Sequence, residues 1–196
     1  LEVMRQPLED GQVTIARAAG SLTFPSDFML VAAMNPCPCG YYGDPKRDCR
    51  CSTRQIERYR QRISGPLLDR IDLHVEVPLV DYRELSTAKT GENSGTIRER
   101  VLATRKRQAD RFHEQAAPRT NSSLSAREVR AHCHLDRESS HLLEQAMGQL
   151  NFSARAHNRI LKVARTLADL VDQEHIGAAE VLEAIQYRSL DRNIML

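Results

Sequence analysis

Four of the chain's five cysteines fall within fifteen residues, as Cys37-Pro38-Cys39-Gly40 and Cys49-Arg50-Cys51. A C-x-C-x9-C-x-C pattern brings four soft sulfurs into one short loop, and thiolates at tetrahedral angles suit zinc. Pro38 and Gly40 favour sharp turns that aim neighbouring sulfurs inward. Cys37, Cys39, Cys49 and Cys51 are therefore the candidate ligands of a structural zinc. The single intervening residue makes the pattern less diagnostic than paired C-x2-C. Disulfides, disfavoured in a reducing compartment, and unliganded thiols are the rival readings. A catalytic zinc needs an open position; His74 is nearby in sequence but reads as a surface residue of a strand. Cys133, between His132 and His134, lacks a second half-site and reads as an ordinary helix residue.

The 196 residues on either side of this loop divide by pattern. Val13–Ala16 and Ser21–Phe24 are short β-prone runs around Ala18-Ala19-Gly20, which predicts a hairpin. Phe28 to Met34 is a continuous apolar run, as in a strand buried on both faces of a parallel sheet. A helix is expected from Arg54 to Ile63, capped by Ser52 or Thr53, with Ile56, Tyr59 and Ile63 inward. Leu73 to Pro78 alternates like a further strand. Ser86 to Gly95 is polar and glycine-bearing, as in a linker or flexible loop. Beyond it, helices are expected at Thr96–Gln115, Ala126–His132, Arg137–Met147, Ala154–Val171 and Ala178–Tyr187. Ile160, Leu161, Val163, Ala164, Leu167, Ala168 and Val171 make a broad apolar face on the fourth.

Net charge is only +2, so the chain taken whole does not announce nucleic acid. The distribution is uneven. Residues 45–70 hold eight basic side chains against three acidic ones. Arg54, Arg58 and Arg62 repeat every four residues there, a candidate nucleic-acid-binding stripe; a solvated helix face is the plainer reading. A second basic run (Arg98, Arg100, Arg105, Lys106, Arg107, Arg111) reads the same way. No apolar run approaches the roughly 18 residues of a membrane span, and no signal-peptide pattern occurs, so a cytoplasmic protein is expected. Leu1-Glu2-Val3-Met4-Arg5 lacks an initiator methionine and reads like the interior of a helix, as in a piece cut from a longer chain.

None of the nine glycines is followed by lysine, and no apolar strand ends in an acidic pair. The parts that cradle phosphate and magnesium are missing from this sequence. Yet Leu1 to Gly11, the hairpin, Met34-Asn35-Pro36 and Ser64-Gly65-Pro66-Leu67-Leu68-Asp69-Arg70-Ile71-Asp72-Leu73 resemble the magnesium-chelatase-like branch of AAA+ ATPases, with bacterial competence-associated members the nearest likeness. Phe152-Ser153-Ala154-Arg155, Arg159 to Leu170 and Gln186 to Arg192 resemble the helical lid and terminus of the same family. The resemblance implies a mixed α/β, mostly helical chain: a partial AAA+ α/β core with a β-hairpin insertion over residues 1–85, a cysteine-rich insert at 37–63, a linker at 86–95, and an all-α lid over 96–196.

By the same resemblance Asn35 is the sensor-1 residue that orients the attacking water, and Arg70 the arginine finger reaching a neighbouring subunit's nucleotide. Arg155 is sensor 2 at a helix N-terminus, with Arg159 one turn on as the alternative. A longer protein of this kind uses ATP with Mg and forms a hexameric ring; the isolated chain should not hydrolyse ATP. The insert departs from the true chelatases, which puts porphyrin metallation in doubt. Together with the basic stripe it favours DNA, branched or single-stranded, as the substrate. Two other functions stay open: a zinc-stabilised module that binds nucleic acid or protein without catalysis, and a chelatase-type motor acting on a protein complex.

Overall fold

Helices begin in this chain where a short polar side chain can close their first turn. Ser52, Ser64, Asn93, Ser125, Asp136 and Ser153 each accept the backbone N–H three residues on, satisfying one of the donors that a helix start leaves unpaired. The computed structural model describes residues 2–18, 20–80, 91–112 and 119–188. They are mostly helical, with one small sheet, and fall into two compact units, the first ending at Ile71 and the second beginning at Asp72.

In the first unit a 3-10 turn, Glu2–Met4, leads into α1, Arg5–Asp10. Gly11 ends α1 at φ 62, where its N–H reaches the Pro7 carbonyl; this left-handed geometry suits glycine. The expected hairpin follows: β1, Gln12–Arg17, runs antiparallel to β2, Gly20–Pro25, with Val13 opposite Phe24 and Ile15 opposite Leu22. The hydroxyls of Thr14 and Thr23 meet across it at 2.9 Å. After the cysteine loop come α2, Thr53–Arg60, and α3, Gly65–Leu68. The Ser64 that caps α3 also accepts from Arg5 at 2.6 Å and donates to Glu2, which fastens the start of the chain to α3.

Four sequence expectations fail here and at the start of the second unit. Residues 28–34 form no strand, and Met29 is 86% exposed. An apolar run becomes a buried strand only with partners on both edges, and the one sheet among the described residues is β1 with β2. Residues 73–78 likewise form no strand. His74, read as a surface residue, is buried, and its backbone N–H donates to the Tyr187 carbonyl at 2.7 Å. Finally α2 stops at Arg60, so Ile63 lies beyond the helix; Ile56 is its buried residue and Tyr59 is half-buried.

The second unit is an assembly of α4, Ser94–Arg111; α5, Ala126–His132; α6, Arg137–Leu150; α7, Ala154–Leu170; and α8, Ala178–Gln186. Ser94 and Gly95, expected in a linker, are the first turn of α4, because Asn93 caps it. Residues 86–90, the rest of that expected linker, and the expected helix end at residues 113–115 lie outside the described residues. The core gathers around α7, which packs on α4, α5 and α8; its Ile160, Ala164 and Ala168 are fully buried, and Leu143 of α6 joins the same cluster. Cys133 closes the end of α5 inside this core. Among the described residues no helix is long and apolar enough to cross a membrane.

The second basic run is a solvated face only in part: Arg98, Arg100, Arg105 and Lys106 are exposed, but Arg107 and Arg111 turn to Asp169. Asp169 on α7 is 1% exposed; it accepts from Arg111 at 2.9 and 2.5 Å, from Asn121 at 2.8 Å and from Arg165 at 3.1 Å. Arg107 bonds the Asp169 carbonyl and pairs with Asp172. A buried carboxylate holds its charge only when so surrounded. The arginines of α4 and α7 and the amide of Asn121 together hold Asp169 below the ordinary carboxylate range despite burial.

Candidate metal centre and basic helix

The sulfurs of Cys37, Cys39, Cys49 and Cys51 all lie within 4.8 Å of one another. Cys37 Sγ is 3.3 Å from Cys39 Sγ and 3.7 Å from Cys49 Sγ, and Cys39 to Cys49 is 3.6 Å. Disulfide sulfurs sit at about 2.05 Å, so no pair is bonded, and all four cysteines are free. Four ligands at about 2.3 Å around a tetrahedral zinc stand about 3.8 Å apart. The cluster is close to that spacing already, and it can hold a metal ion.

The backbone around the sulfurs is shaped for the purpose. Gly40 and Gly43 take φ of 84 and 81, left-handed values that let the chain double back after the first cysteine pair. Asp44 accepts from the N–H groups of Lys46 and Arg47 at 2.7 and 3.1 Å, which closes the loop towards the second pair. Backbone N–H groups point at the sulfurs. Those of Tyr41 and Arg50 draw the Cys39 thiol down to about 6. Cys49 also accepts one, from Cys51, but burial and the neighbouring thiols of Cys39 and Cys37 push it up to about 12. The thiols share their protons, so the backbone donors favour a first thiolate and its charge opposes the ionisation of its neighbours. A metal cation offsets that charge.

Ser52 follows Cys51 directly and caps α2 through a reciprocal pair of bonds with Gln55. The second cysteine pair and the start of the basic helix are thus one continuous piece of fixed backbone. Arg54 and Arg58 are exposed on α2; Arg62, the third residue of the stripe, lies just past its end and packs over the Tyr59 ring at 6.0 Å. Reading charge alone missed the aromatics interleaved with it. Arg47 lies 5.1 Å from the Tyr41 ring centroid and donates to its hydroxyl at 2.8 Å, and Arg60 lies 5.1 Å from that of Tyr42. The signal available in the sequence was Tyr41-Tyr42 directly after the first cysteine pair.

Comparison with known families gives this loop and its surroundings a setting. The sequence model described as "Magnesium chelatase, subunit ChlI" matches residues 1–85, and that described as "Magnesium chelatase, subunit ChlI C-terminal" matches residues 91–188. The chain belongs to this family. Among its relatives, the competence protein ComM of Haemophilus influenzae is 43% identical over 193 residues, 98% of this chain and 36% of that protein. The uncharacterized protein YifB of Escherichia coli is 42% identical over 193 residues, 98% of this chain and 37% of that protein. A protein of Mycobacterium tuberculosis, also uncharacterized, is 37% identical over 188 residues, 96% of this chain and 37% of its own. The chain spans a little over a third of the length of these relatives.

The residues that the family resemblance singles out fall in both units. Asn35 is exposed, in the irregular segment two residues before Cys37. Arg70, at the end of α3, pairs with Glu9 and donates to the Pro66 carbonyl at 2.6 Å. In the second unit Arg155 is exposed in the first turn of α7, after the Ser153 cap, and Arg159 pairs with Asp72. The exposed first turn leaves Arg155 beside the positive end of a helix of 17 residues, a setting suited to anions.

Proposed function

We propose that this chain is the sensor and lid portion of a AAA+ ATPase, cytoplasmic and assembled as a hexameric ring, that couples ATP hydrolysis to remodelling of branched or single-stranded DNA. The observation that carries the reading is the order of two matched family segments over nearly the whole chain, with a cysteine-held basic helix inside the first. In this reading Asn35 orients the attacking water and Arg70 acts on the neighbouring subunit's nucleotide; Arg155, with Arg159 one turn away, answers to the nucleotide of its own subunit. ATP with Mg binds through parts of the longer protein outside this sequence, which has no G-x4-G-K-[ST] loop. Zinc on Cys37, Cys39, Cys49 and Cys51 is structural: four thiolates leave it no open position. Its work is to hold α2 and the loop before it in place.

The basic stripe supports DNA as the substrate class, since phosphate contacts dominate nucleic-acid affinity. The test uses a protein of the relatives' full length that contains this segment. Arg70→Ala should keep nucleotide binding and lose turnover, with activity partly restored in mixed rings; normal hydrolysis by this variant removes the finger assignment. Arg54→Glu combined with Arg58→Glu should abolish stimulation of turnover by DNA and spare the DNA-free rate. Stimulation that survives both reversals would move the substrate site away from α2.

A further inference from the structure

We propose that Tyr41 and Tyr42 form a metal-mounted platform on which bases of single-stranded DNA stack, a deeper reading of the DNA function proposed above. The chain is poor in aromatic residues, at 5%, and has no tryptophan, yet it spends two consecutive tyrosines on the surface, 36% and 50% exposed. Neither ring fills a core. Each is engaged by an arginine instead, Arg47 on Tyr41 and Arg60 on Tyr42, both at 5.1 Å. Exposed aromatic rings with a guanidinium over them are what sequence-tolerant single-strand binding uses: the exposed part of the ring takes a base face and the cation takes a phosphate.

The mounting is the second half of the argument. The backbone N–H of Tyr41 bonds the Cys39 sulfur and that of Tyr42 bonds the Cys37 sulfur. The two rings are therefore positioned by the same sulfurs that gather the metal. Gly40, at φ 84, makes the turn between them and the first cysteine pair. Arg54 and Arg58 on α2, which begins two residues after Cys51, extend the positive surface from the same loop. A duplex offers its phosphates to such a surface but keeps its bases stacked inside, so exposed tyrosine faces add nothing to duplex binding. Unpaired bases can use them. An acidic protein surface would need the arginines alone.

The experiment uses the 196-residue chain loaded with zinc and a labelled oligothymidine, followed by fluorescence anisotropy, with a duplex of equal length in parallel. Tyr41→Ala with Tyr42→Ala should weaken single-strand binding by at least about fivefold, the lower end of what one stacked base contributes, while metal content and duplex binding hold. Tyr41→Phe with Tyr42→Phe should bind as the parent chain does, because stacking needs the ring and not the hydroxyl. With no tryptophan present, tyrosine emission reports directly, and oligothymidine should quench it in the parent chain. Three results overturn the proposal: alanine variants that bind single strands normally, alanine variants that lose single-strand and duplex binding equally, or a parent chain that binds no single strand. If Arg54→Glu with Arg58→Glu abolishes binding while the tyrosine variants do not, stacking fails and the DNA function stands. If the parent chain binds neither form of DNA, both readings fall.

Discussion

Asp169 shows how much a single carboxylate can organise. It has nowhere to send its charge but to Arg111, Arg165 and Asn121, and these come from α4, α7 itself and the turn at Asn121–Ser123. Its folded pKa lies below the ordinary value of 3.8. A depressed carboxylate stabilises the fold fully above its unfolded pKa, and that contribution is lost as pH falls through the folded value. The helical unit should therefore lose stability in acid below about pH 4, measured as a falling thermal midpoint. Asp169→Asn should flatten that acid limb and also destabilise the unit at neutral pH by about 3–5 kcal/mol, because it leaves buried guanidinium groups without their countercharge. A variant with parental stability at pH 7 would show that the arginines find other partners.

At the scale of elements, α7 is the member on which the second unit depends. Leu161 and Ile160 are buried in one continuous core with Leu143, Val129 and Val181. Leu161→Ala should cost about 2–5 kcal/mol in denaturant unfolding, the usual range for a buried leucine that leaves a cavity; a near-neutral result would mean that this face packs loosely. This part of the fold was largely readable in advance. The starts of three of its five helices follow from Ser125, Asp136, Ser153 and the apolar spacing after them, and α8 begins where Glu180 reaches back to the Gly177 N–H at 2.9 Å. Asn93 could have been read as a cap too, but its glycine-bearing neighbourhood looks like a loop. The four cysteines and the arginines of α2 were equally plain, because both depend on local spacing. What spacing could not show was partnership. Residues 28–34 have the composition of a central strand and no strand to pair with among the described residues; Arg107 and Arg111 have the composition of a solvated face and end on a buried aspartate 58 or more residues away. Charge and hydropathy report what a side chain tolerates, and tertiary neighbours decide which tolerance is used.

For the whole molecule, the division at Ile71 and Asp72 separates two kinds of stability. The second unit has a contiguous apolar core; the loop around Cys37 has instead four sulfurs and a few backbone bonds to them. Metal binding by such thiolates is worth about 10–16 kcal/mol in small peptides at neutral pH, ample to order a loop of this length at about 1–2 kcal/mol per residue. A chelator should therefore melt the loop and loosen α2 while leaving the helical signal of the second unit in place, and Cys49→Ser should lower metal content and mimic the chelator. Metal analysis of protein purified under reducing conditions decides the matter: about one zinc per chain is expected, and a metal-free chain with an ordered loop would end the zinc assignment.

The hairpin carries a consequence of another kind. Among the described residues the strands Gln12–Arg17 and Gly20–Pro25 pair only with each other, and Ile15, Leu22 and Phe24 are all exposed. A two-stranded ribbon with no third strand among the described residues is marginal in water, so frequent opening is expected. In deuterated solvent its amides should exchange orders of magnitude faster than those in the middle of α7, although both are hydrogen-bonded in the same chain. That contrast makes the ribbon a clock. Whatever settles on those three side chains in a larger assembly will slow it, and the slowing can be timed at each amide without knowing beforehand what has settled there.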